Sequence, residues 1–361
     1  MLPVSISTPG KLILMGEHAA VYGRPALVAA IDRRLTARFS AAPRDVRLEL
    51  PGLGHAEETS WPAILGYARD ARRRWDEYAR EPGSEAFGRV RGEDPAHVVK
   101  VALGEAAAAL GGKGGRPALT LRVDSELPIG SGFGSSAALA VAVIGGALLA
   151  LGPAADAADP ATVERLALEV ERRQHGQPSG VDGATVVHGG VVWARRLGAD
   201  RLEREPVAVR SPLLSRLHVF DTGTPPESTG AVVAAVRDRR DRDPGRHERL
   251  LDRMEAATRA FREELARELD ESDQIVRLLQ EQEACLEELG VVPLPIREVV
   301  RRVEAEGGAA KISGAGSLSG PGAGSLLVYH SDRERVAGWK FLRPFRFHSV
   351  QLGAPGFRRE G

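Results

Sequence analysis

A glycine- and serine-rich turn runs directly into a long series of small apolar residues in LPIGSGFGSSAALAVAVIGGALLAL, Leu127 to Leu151. Glycine lets the backbone take positive φ and approach a ligand closely. The apolar run is too short to span a bilayer comfortably and contains a Gly-Gly pair, so it predicts a buried helix. The N-terminus of such a helix presents unpaired N–H groups and the positive end of a dipole. The stretch predicts a flexible turn or an anion-binding loop, and we favour the loop.

Composition limits the classes of partner and of cellular setting. The chain has 361 residues, enough for two domains, and 49 basic residues balance 49 acidic ones. This balance gives no electrostatic argument for nucleic acid or an anionic membrane as a partner. One cysteine, Cys285, excludes an internal disulfide and predicts a buried or neutral thiol. The N-terminus lacks a secretory signal pattern, and we predict a cytoplasmic protein.

The first part of the chain predicts strands interspersed with helices. Alternating segments such as RRLTARFSA, DVRLELPG and ALTLRVDSELP are typical of half-buried strands. A helical region from Pro62 to Leu110 is broken within residues 81–95. Asp159 followed by Pro160 predicts an N-cap and the start of a helix. GATVVHGGVVWARR predicts two strands joined by a Gly-Gly turn.

A second unit is predicted to begin near Ser211. LHVFDTG predicts a strand, and the segment from Ser228 to Leu289 predicts long charged helices with a turn at 243–245. Their mixed charges are typical of solvated helix faces. PIREVVRRVEAEGG predicts a further helix, followed by strands around a second glycine-rich loop. Two units without a regular βαβ repeat predict an α+β architecture.

The glycine loop gains meaning from other segments. It matches neither GxxxxGK[ST] nor GxGxxG, so the two best-known nucleotide fingerprints are absent. Ser135 and Ser136 add hydroxyls that could bind phosphate or Mg²⁺. TPGKLILMGEHAAVYG carries a lysine and a Glu-His pair, and VERRQHGQPSGVDGAT carries a glutamate and an aspartate. Phosphoryl transfer needs a phosphate cradle, Mg²⁺ ligands, a cation and a group that orients the acceptor. The sequence supplies candidates for all four.

Three motifs together resemble the GHMP kinase family. PGKLILMGEHAAVYG and HGQPSGVDGAT are similar to the patterns of its mevalonate kinase branch, and KISGAGSLSGPGAGS occupies the place of the third motif. The closing QLGAPGFR also looks like the end of that branch. The resemblance implies a two-domain GHMP kinase fold. It places a ribosomal S5 domain 2-like domain at residues 1–210 and a ferredoxin-like domain at residues 211–361.

The resemblance also implies roles for individual residues. Asp182 matches the proposed catalytic base and Lys11 the lysine beside it, while Ser136 and Glu171 match Mg²⁺ ligands. The implied ATP-binding loop consists of Gly130, Ser131, Gly132, Phe133, Gly134, Ser135, Ser136 and Ala137. The implied acceptor side consists of Glu17, His18, Ser228, Thr229, Gly314, Ala315 and Gly316. Taken singly, a surface lysine, a turn aspartate and a solvated glutamate remain alternatives, and His18 and His175 are also typical of structural histidines.

Three positions depart from the family pattern. The third motif is longer than the usual GAGGGG, so either Gly314–Gly316 or Gly322–Gly324 could approach phosphate. Phe133 stands where leucine is usual, and Gly183 stands where asparagine is usual. The first departure affects the prediction of the closing loop and the acceptor pocket.

The implied activity is ATP-dependent phosphorylation of the primary hydroxyl of (R)-mevalonate with Mg²⁺, in isoprenoid precursor synthesis. The implied partners are ATP and mevalonate. Another GHMP kinase acting on phosphomevalonate or a sugar is the alternative, and a catalytically silent regulator is a third. Family members are often dimers, so a homodimer is also an expectation, although composition indicates no interface.

Overall fold

Two β-sheets and their covering helices build the computed structural model of the chain, which describes residues 2–81, 88–90, 93–111, 115–128, 130–152, 158–198, 201–269 and 271–360. The strands are β1 (Val4–Met15), β2 (Pro25–Ala41), β3 (Val46–Leu50), β4 (His55–Thr59), β5 (Leu119–Ser125), β6 (Val191–Arg196), β7 (Leu202–Pro206), β8 (Leu217–Asp221), β9 (Ala309–Ser313), β10 (Ser325–Tyr329), β11 (Arg346–His348) and β12 (Arg358–Glu360). The helices are α1 (Trp61–Arg80), α2 (His97–Leu110), α3 (Ser135–Leu151), α4 (Pro160–His175), α5 (Val181–His188), α6 (Thr229–Arg242), α7 (Pro244–Ala266), α8 (Ser272–Leu289), α9 (Leu294–Ala305) and α10 (Arg333–Gly338).

The first sheet has the order β12–β1–β2–β5–β3–β4, with β6 and β7 attached beside β2. The long strand β2 makes this branching possible, because its beginning pairs with β6 and its end pairs with β5. Strands β3 and β5 are parallel, and the other pairs are antiparallel. Strand β1 contains the first part of the first motif, Pro9 to Met15, and therefore places Lys11 inside the sheet.

The second sheet has the antiparallel order β11–β8–β10–β9. Every residue of β9 and β10 is buried, so both faces of these strands are covered. One hydrophobic cluster contains residues of the first sheet together with side chains of β8 and β10, including Leu217, Val219 and Leu327. Mixed sheets and helices confirm the predicted α+β class.

Local signals placed several helix boundaries correctly. The Asp159 carboxylate accepts a hydrogen bond from the Thr162 N–H at 3.0 Å, and α4 begins at Pro160. Asp243 caps α7 in the same way, accepting from the Arg246 N–H at 3.0 Å. A short polar side chain at the N-cap satisfies one of the free N–H groups of the first turn. The predicted turn at 243–245 is therefore the junction of α6 and α7. The predicted break within residues 81–95 lies partly outside the described residues.

The prediction of two strands in GATVVHGGVVWARR is wrong for its first half. Residues 181–188 form helix α5, and only Val191–Arg196 is a strand. Valine and threonine favour strands, but burial of this segment against α3, α4 and β1 outweighs that preference. The Thr185 hydroxyl also donates to the Val181 carbonyl at 2.9 Å within the helix. Asp182 consequently lies in the first turn of a helix.

Helix α3 is buried along nearly its whole length, which confirms the buried helix predicted from its composition. Gly146 allows it to lie directly on the sheet, because a Cβ there would be 2.7 Å from Cδ2 of Phe39. Among the described helices, none is both long and apolar enough to cross a membrane. The close fit of α3 on the sheet places its first turn at the edge of a cleft.

The chain returns to its first sheet at the end. Strand β12 pairs with β1, so residues 358–360 belong to the sheet built by the N-terminal part. The division into domains at residues 210 and 211 stays a prediction. The second sheet itself is built entirely from strands after residue 211.

Candidate active site

The glycine-rich loop between β5 and α3 is built to present backbone N–H groups. Gly130, Gly132 and Gly134 have φ of 77°, 80° and 72°, a region that glycine occupies without steric cost. The Lys11 N–H donates to the Phe133 carbonyl at 2.9 Å and ties the loop to β1. Helix α3 starts after Gly134 with no side chain capping it. Its first N–H groups can therefore serve an anionic ligand.

A cleft of about 820 Å³ opens over this loop and is lined by residues of both sheets. The loop contributes Gly130, Gly132, Gly134, Ser135 and Ser136 to the lining. The predicted phosphate cradle thus faces a cavity large enough for small-molecule substrates.

Three predicted ATP-binding side chains lie elsewhere. The Ser131 hydroxyl donates to the Asp221 carboxylate at 2.9 Å. The Phe133 ring is buried against His348, with 5.0 Å between ring centroids. Ala137 is buried in the hydrophobic core. For these three residues, side-chain contact with a cleft ligand is therefore not supported, and the leucine-to-phenylalanine departure fills the region near β11.

Lys11 and Asp182 meet at the cleft. Lys11 Nζ lies 3.0 Å from Asp182 Oδ2. The lysine side chain is 5% exposed, whereas the aspartate side chain is 35% exposed. Strand β1 and the first turn of α5 bring together two residues from different motifs. Both side chains line the cleft, and the aspartate carboxylate is the more exposed of the two.

Glu171 on α4 is a buried carboxyl next to this pair. Burial raises its pKa to about 8, and the negative charge of Asp182 adds to the increase. Its Oε1 is buried without a well-formed hydrogen bond among the described residues, although the nearby Gly183 N–H and Lys11 partly oppose the rise in pKa. A Cβ at residue 183 would lie 2.7 Å from that oxygen. Gly183 therefore leaves the space that Glu171 occupies.

Ser136 and His175 form a second polar group on the cleft wall. Ser136 Oγ and His175 Nε2 are 3.1 Å apart, and both residues line the cleft. The structural role of His175 stays a prediction, and its ring contacts Ser136, a predicted Mg²⁺ ligand. His175 begins the HGQPSGVDGAT motif, but the motif alone does not indicate a contact with Ser136.

The Glu17 carboxylate is buried and paired with other side chains of the protein. It forms an ion pair with Lys311 and accepts from Gln282 Nε2 at 3.1 Å. The side chains of Glu17 and Lys311 are both fully buried. This arrangement supports the cleft wall, and contact between the Glu17 carboxylate and an acceptor stays a prediction.

His18 lies at the same wall with an unusual backbone. Its φ is 58°, and its Nε2 lies 2.9 Å from the Ala315 carbonyl oxygen. Burial lowers the pKa of His18 to about 4, so the ring is neutral near pH 7. A carbonyl accepts only from an N–H, which assigns the proton to Nε2 and leaves Nδ1 as an acceptor. His18 thereby joins the first motif to the third.

The remaining predicted residues line the cleft from the second sheet. Ser228 caps α6 by accepting from the Ala231 N–H at 3.4 Å, and Thr229 begins that helix. Gly314, Ala315 and Gly316 line the cleft, and so do Ala323 and Gly324. Both glycine turns of the long third motif therefore reach the cleft, and which of the two approaches phosphate stays a prediction.

Several cleft residues carry no recognisable sequence signal. They include Glu93, Asp94, Ser125, Gln174, Thr224 and Glu227. Each comes from a loop or element end that folding brings to the cleft. Thr224 and Glu227 belong to the segment TPPES, of which the resemblance named only Ser228.

Positive charge is scarce in the cleft. Among the described residues that line it, Lys11 is the single lysine or arginine. Lys100 instead binds Glu57 and Asp94, at 2.8 and 2.6 Å. Arg195 donates to the Gly23 carbonyl, away from the lining. The described cleft therefore provides little to bind a second phosphate group on an acceptor.

Sequence comparison agrees with this geometry. The family description "GHMP kinases N terminal domain" matches residues 97–190. Mevalonate kinase of Methanothermobacter thermautotrophicus is 30% identical over 90% of this chain and 89% of its own length. Mevalonate kinase of Aeropyrum pernix is 31% identical over 86% of this chain and 85% of its own length.

Solved structures show the same fold. Methanococcus jannaschii mevalonate kinase superposes with a TM-score of 0.72 at 18% identity and covers 96% of this chain and 98% of its own. L. major mevalonate kinase in complex with R-mevalonate gives a TM-score of 0.65 at 21% identity, covering 96% of both chains. By identity across nearly its whole length, supported by this fold, the chain belongs to the GHMP kinase family and to its mevalonate kinase branch.

Proposed function

We propose that this chain transfers the γ-phosphoryl group of ATP to the primary hydroxyl of (R)-mevalonate, giving 5-phosphomevalonate for isoprenoid precursor synthesis. Relatives named mevalonate kinases support the acceptor. The observation that carries the proposal is the Lys11–Asp182 pair at 3.0 Å, which lies in one cleft with the glycine loop.

Asp182 and Lys11 act on the acceptor oxygen. An alcohol is a weak nucleophile, and the Asp182 carboxylate orients its hydroxyl and accepts the proton as the new O–P bond forms. The Lys11 ammonium stabilises negative charge on the attacking oxygen. The bond between the γ-phosphorus and the β–γ bridging oxygen breaks, and its electron pair leaves with ADP. Positioning contributes most of the effect if the transition state is loose.

The glycine loop holds the phosphates. The backbone around Gly130, Gly132 and Gly134 and the first turn of α3 offer N–H donors, and Ser135 adds a hydroxyl in the same cleft. A fixed set of donors costs no reorganisation when charge develops. The positive end of α3 also favours an anion at this position.

Glu171 and Ser136 fit the requirements of Mg²⁺. The cation prefers oxygen ligands and needs only one or two from protein. Glu171 Oε1 is buried without a well-formed hydrogen bond among the described residues, and Ser136 Oγ lies on the same cleft. Mg²⁺, when bound, neutralises charge on phosphate oxygens. Glu171 and Ser136 would hold it, and Asp182 keeps its separate contact with Lys11.

The alternatives fit the cleft less well. A phosphorylated acceptor would call for several cations, and Lys11 is the single one among the described lining residues. A silent regulator would have no need for Lys11, Glu171 and Asp182 together. We propose ATP and mevalonate as partners in the cytoplasm. A homodimer stays a prediction that the mass of the protein in solution would test.

The test is ADP release by purified protein with Mg·ATP and, in parallel, mevalonate, phosphomevalonate, galactose or homoserine. We expect turnover with mevalonate alone. Turnover with another acceptor and none with mevalonate would contradict the proposed acceptor while retaining the phosphate machinery. Binding of Mg·ATP without turnover of any of the four would contradict the kinase proposal for these acceptors.

A further inference from the structure

Two loops of the second half meet along one wall of the cleft. We call residues Thr222–Ser228 the proline loop and residues Gly314–Gly324 the third glycine segment. The Thr222 N–H donates to the Gly324 carbonyl at 2.9 Å, and the Gly324 N–H donates to the Gly223 carbonyl at 3.0 Å. The Thr222 hydroxyl also accepts from the Ala323 N–H at 2.9 Å. One end of each loop is therefore joined to the other.

Glu227 joins the opposite ends. Its carboxylate accepts from the Ser317 hydroxyl at 2.8 Å, from the Ser319 hydroxyl at 2.5 Å and from the Leu318 N–H at 3.3 Å. Partial burial raises the pKa of Glu227, but these hydrogen bonds outweigh it and hold the pKa below its ordinary value. Gly320 also lies against the Pro226 ring. These contacts fall within the segment in which the third motif is longer than the family pattern.

The joined loops border the phosphate loop. The Ser325 hydroxyl donates to the Ser131 carbonyl, and a Cβ at Gly324 would lie 3.3 Å from the Ser131 carbonyl carbon. Thr224, Glu227 and Ser228 line the cleft from one loop, and Ala315 and Gly316 line it from the other. A shift of either loop would therefore change the shape of the cleft opposite Asp182.

We propose that Glu227 is a positioning residue that fixes the extended third glycine segment on the proline loop and so sets the acceptor side of the cleft. Both of its carboxylate oxygens accept from Ser317, Leu318 and Ser319, so Glu227 acts through these partners rather than on the acceptor. The inference rests on the proposed kinase function. It adds to that function a specificity device located where the third motif departs from the family pattern.

The experiment compares steady-state kinetics of the wild type, Glu227→Ala and Glu227→Gln with the acceptor that the wild type uses. Hydrogen bonds to a charged group that is still partly exposed predict a rise in acceptor KM of about tenfold for Glu227→Ala. We expect kcat and the KM for ATP to change less than about threefold, because Lys11, Asp182 and the phosphate loop stay in place. Glu227→Gln keeps an acceptor oxygen and should recover part of the loss.

Two further variants isolate the contact. Ser319→Ala removes one donor, and combined with Glu227→Ala it should raise acceptor KM by less than the product of the single effects, because the two residues share one contact. Glu263→Ala removes an exposed carboxylate from α7 and should leave both KM values unchanged. Multiplicative effects of Glu227→Ala and Ser319→Ala, or equal losses in kcat and in both KM values, would overturn the proposal.

Proteolysis separates this inference from the proposed function. Thermolysin cleaves before apolar residues, and Leu318 lies within the segment. We expect faster cleavage at Leu318 in Glu227→Ala than in the wild type and in Glu263→Ala. Unchanged cleavage would overturn the positioning role even in a protein that phosphorylates none of the four acceptors. The wild-type acceptor assay alone decides the proposed function.

Discussion

Asp182 is partly exposed, whereas its cationic partner Lys11 is buried. Its contact with Lys11 at 3.0 Å depends on β1 and α5, which meet only in the folded chain. The motifs predicted both residues and their roles. The side of Asp182 that faces the cleft could not be predicted, because the sequence placed this residue in a turn before a predicted strand, whereas it lies in the first turn of α5.

Asp182→Asn tests the carboxylate. The amide cannot accept the hydroxyl proton and pairs poorly with Lys11, so we expect kcat to fall by about 10²–10⁴ with nucleotide affinity retained. Turnover and binding of a fluorescent ATP analogue measure the two effects. Asp243→Asn is the matched control, since asparagine caps a helix as well as aspartate does. Unchanged turnover in Asp182→Asn would remove Asp182 from the chemical step.

The buried carboxyl of Glu283, which lies outside the three motifs, leads us to expect that stability depends on pH. It is fully buried on α8 and accepts from the Ile312 N–H at 3.0 Å. Burial raises its pKa to about 8, and the charged groups that face it are Lys311, Glu287 and Glu17. The folded state binds its proton more tightly than the unfolded state does. The resulting stabilisation is therefore full below about pH 4.5 and is lost as pH rises towards 8.

Glu283→Gln removes this titration. We expect the free energy of unfolding of the variant, relative to wild type, to increase by on the order of 2 kcal/mol between pH 5.5 and pH 8. Urea unfolding at both pH values measures it, with exposed Glu263→Gln as the control. Parallel changes in Glu283→Gln and wild type would show that Glu283 does not keep its proton in the folded protein.

At the scale of elements, helix ends were more predictable than strand partners. Two helix starts are marked locally by an aspartate cap followed by proline, whose φ is fixed, at Asp159-Pro160 and at Asp243-Pro244. Helix α5 was missed because its valines and threonine favour strands and only its packing against α3 and α4 favours a helix. Short strands such as β7 and β12 depend on partners elsewhere in the chain, which a local pattern does not specify.

Helix α6 and the loop before α5 are joined by one arginine. Arg237 donates to Gln177 Oε1 at 2.8 Å and to the Tyr78 hydroxyl at 3.3 Å. This contact holds the helix that begins at Thr229 near the loop that leads to Asp182. We expect Arg237→Ala to reduce kcat/KM by about tenfold, because lost hydrogen bonds loosen this placement.

Arg242→Ala provides the control on the same helix. Arg242 is exposed, and its guanidinium donates to the Asp238 carbonyl one turn earlier. We expect kcat/KM of this variant to stay within twofold of wild type, because surface substitutions usually have small effects. Steady-state kinetics of both variants, with thermal unfolding in parallel, distinguish lost placement from lost folding. Equal kinetics in the two variants would contradict a role for Arg237.

At the scale of the whole molecule, the two ends of the chain meet in one sheet. Ser5 pairs with Glu360 and Ser7 with Arg358. The Arg34 guanidinium donates to the Pro355 and Gly356 carbonyls, each at 2.9 Å. The closing QLGAPGFR segment was noticed only as a family resemblance. Its physical reason could not be predicted, because it depends on strands that lie more than 300 residues away.

Gly356 connects this closing segment to α5. The next N–H, of Phe357, donates to the Val187 carbonyl of α5 at 3.3 Å. A Cβ at residue 356 would overlap the Val187 carbonyl oxygen and lie 2.7 Å from the His188 carbonyl carbon. Backbone atoms cannot move aside as a flexible side chain can. An alanine here must therefore displace either the closing segment or the end of α5, the helix that carries Asp182.

Gly356→Ala should consequently lower the free energy of unfolding by about 1–3 kcal/mol, the usual cost of overpacking. We also expect kcat to fall several-fold, because the displacement reaches α5 within two turns of Asp182. Gly338→Ala is the matched control, since its Cβ would meet open space at the end of α10. Urea unfolding and turnover measure both variants. Full stability with lowered turnover would place the displacement in α5. Lowered stability with full turnover would confine it to the closing segment and contradict the link to α5.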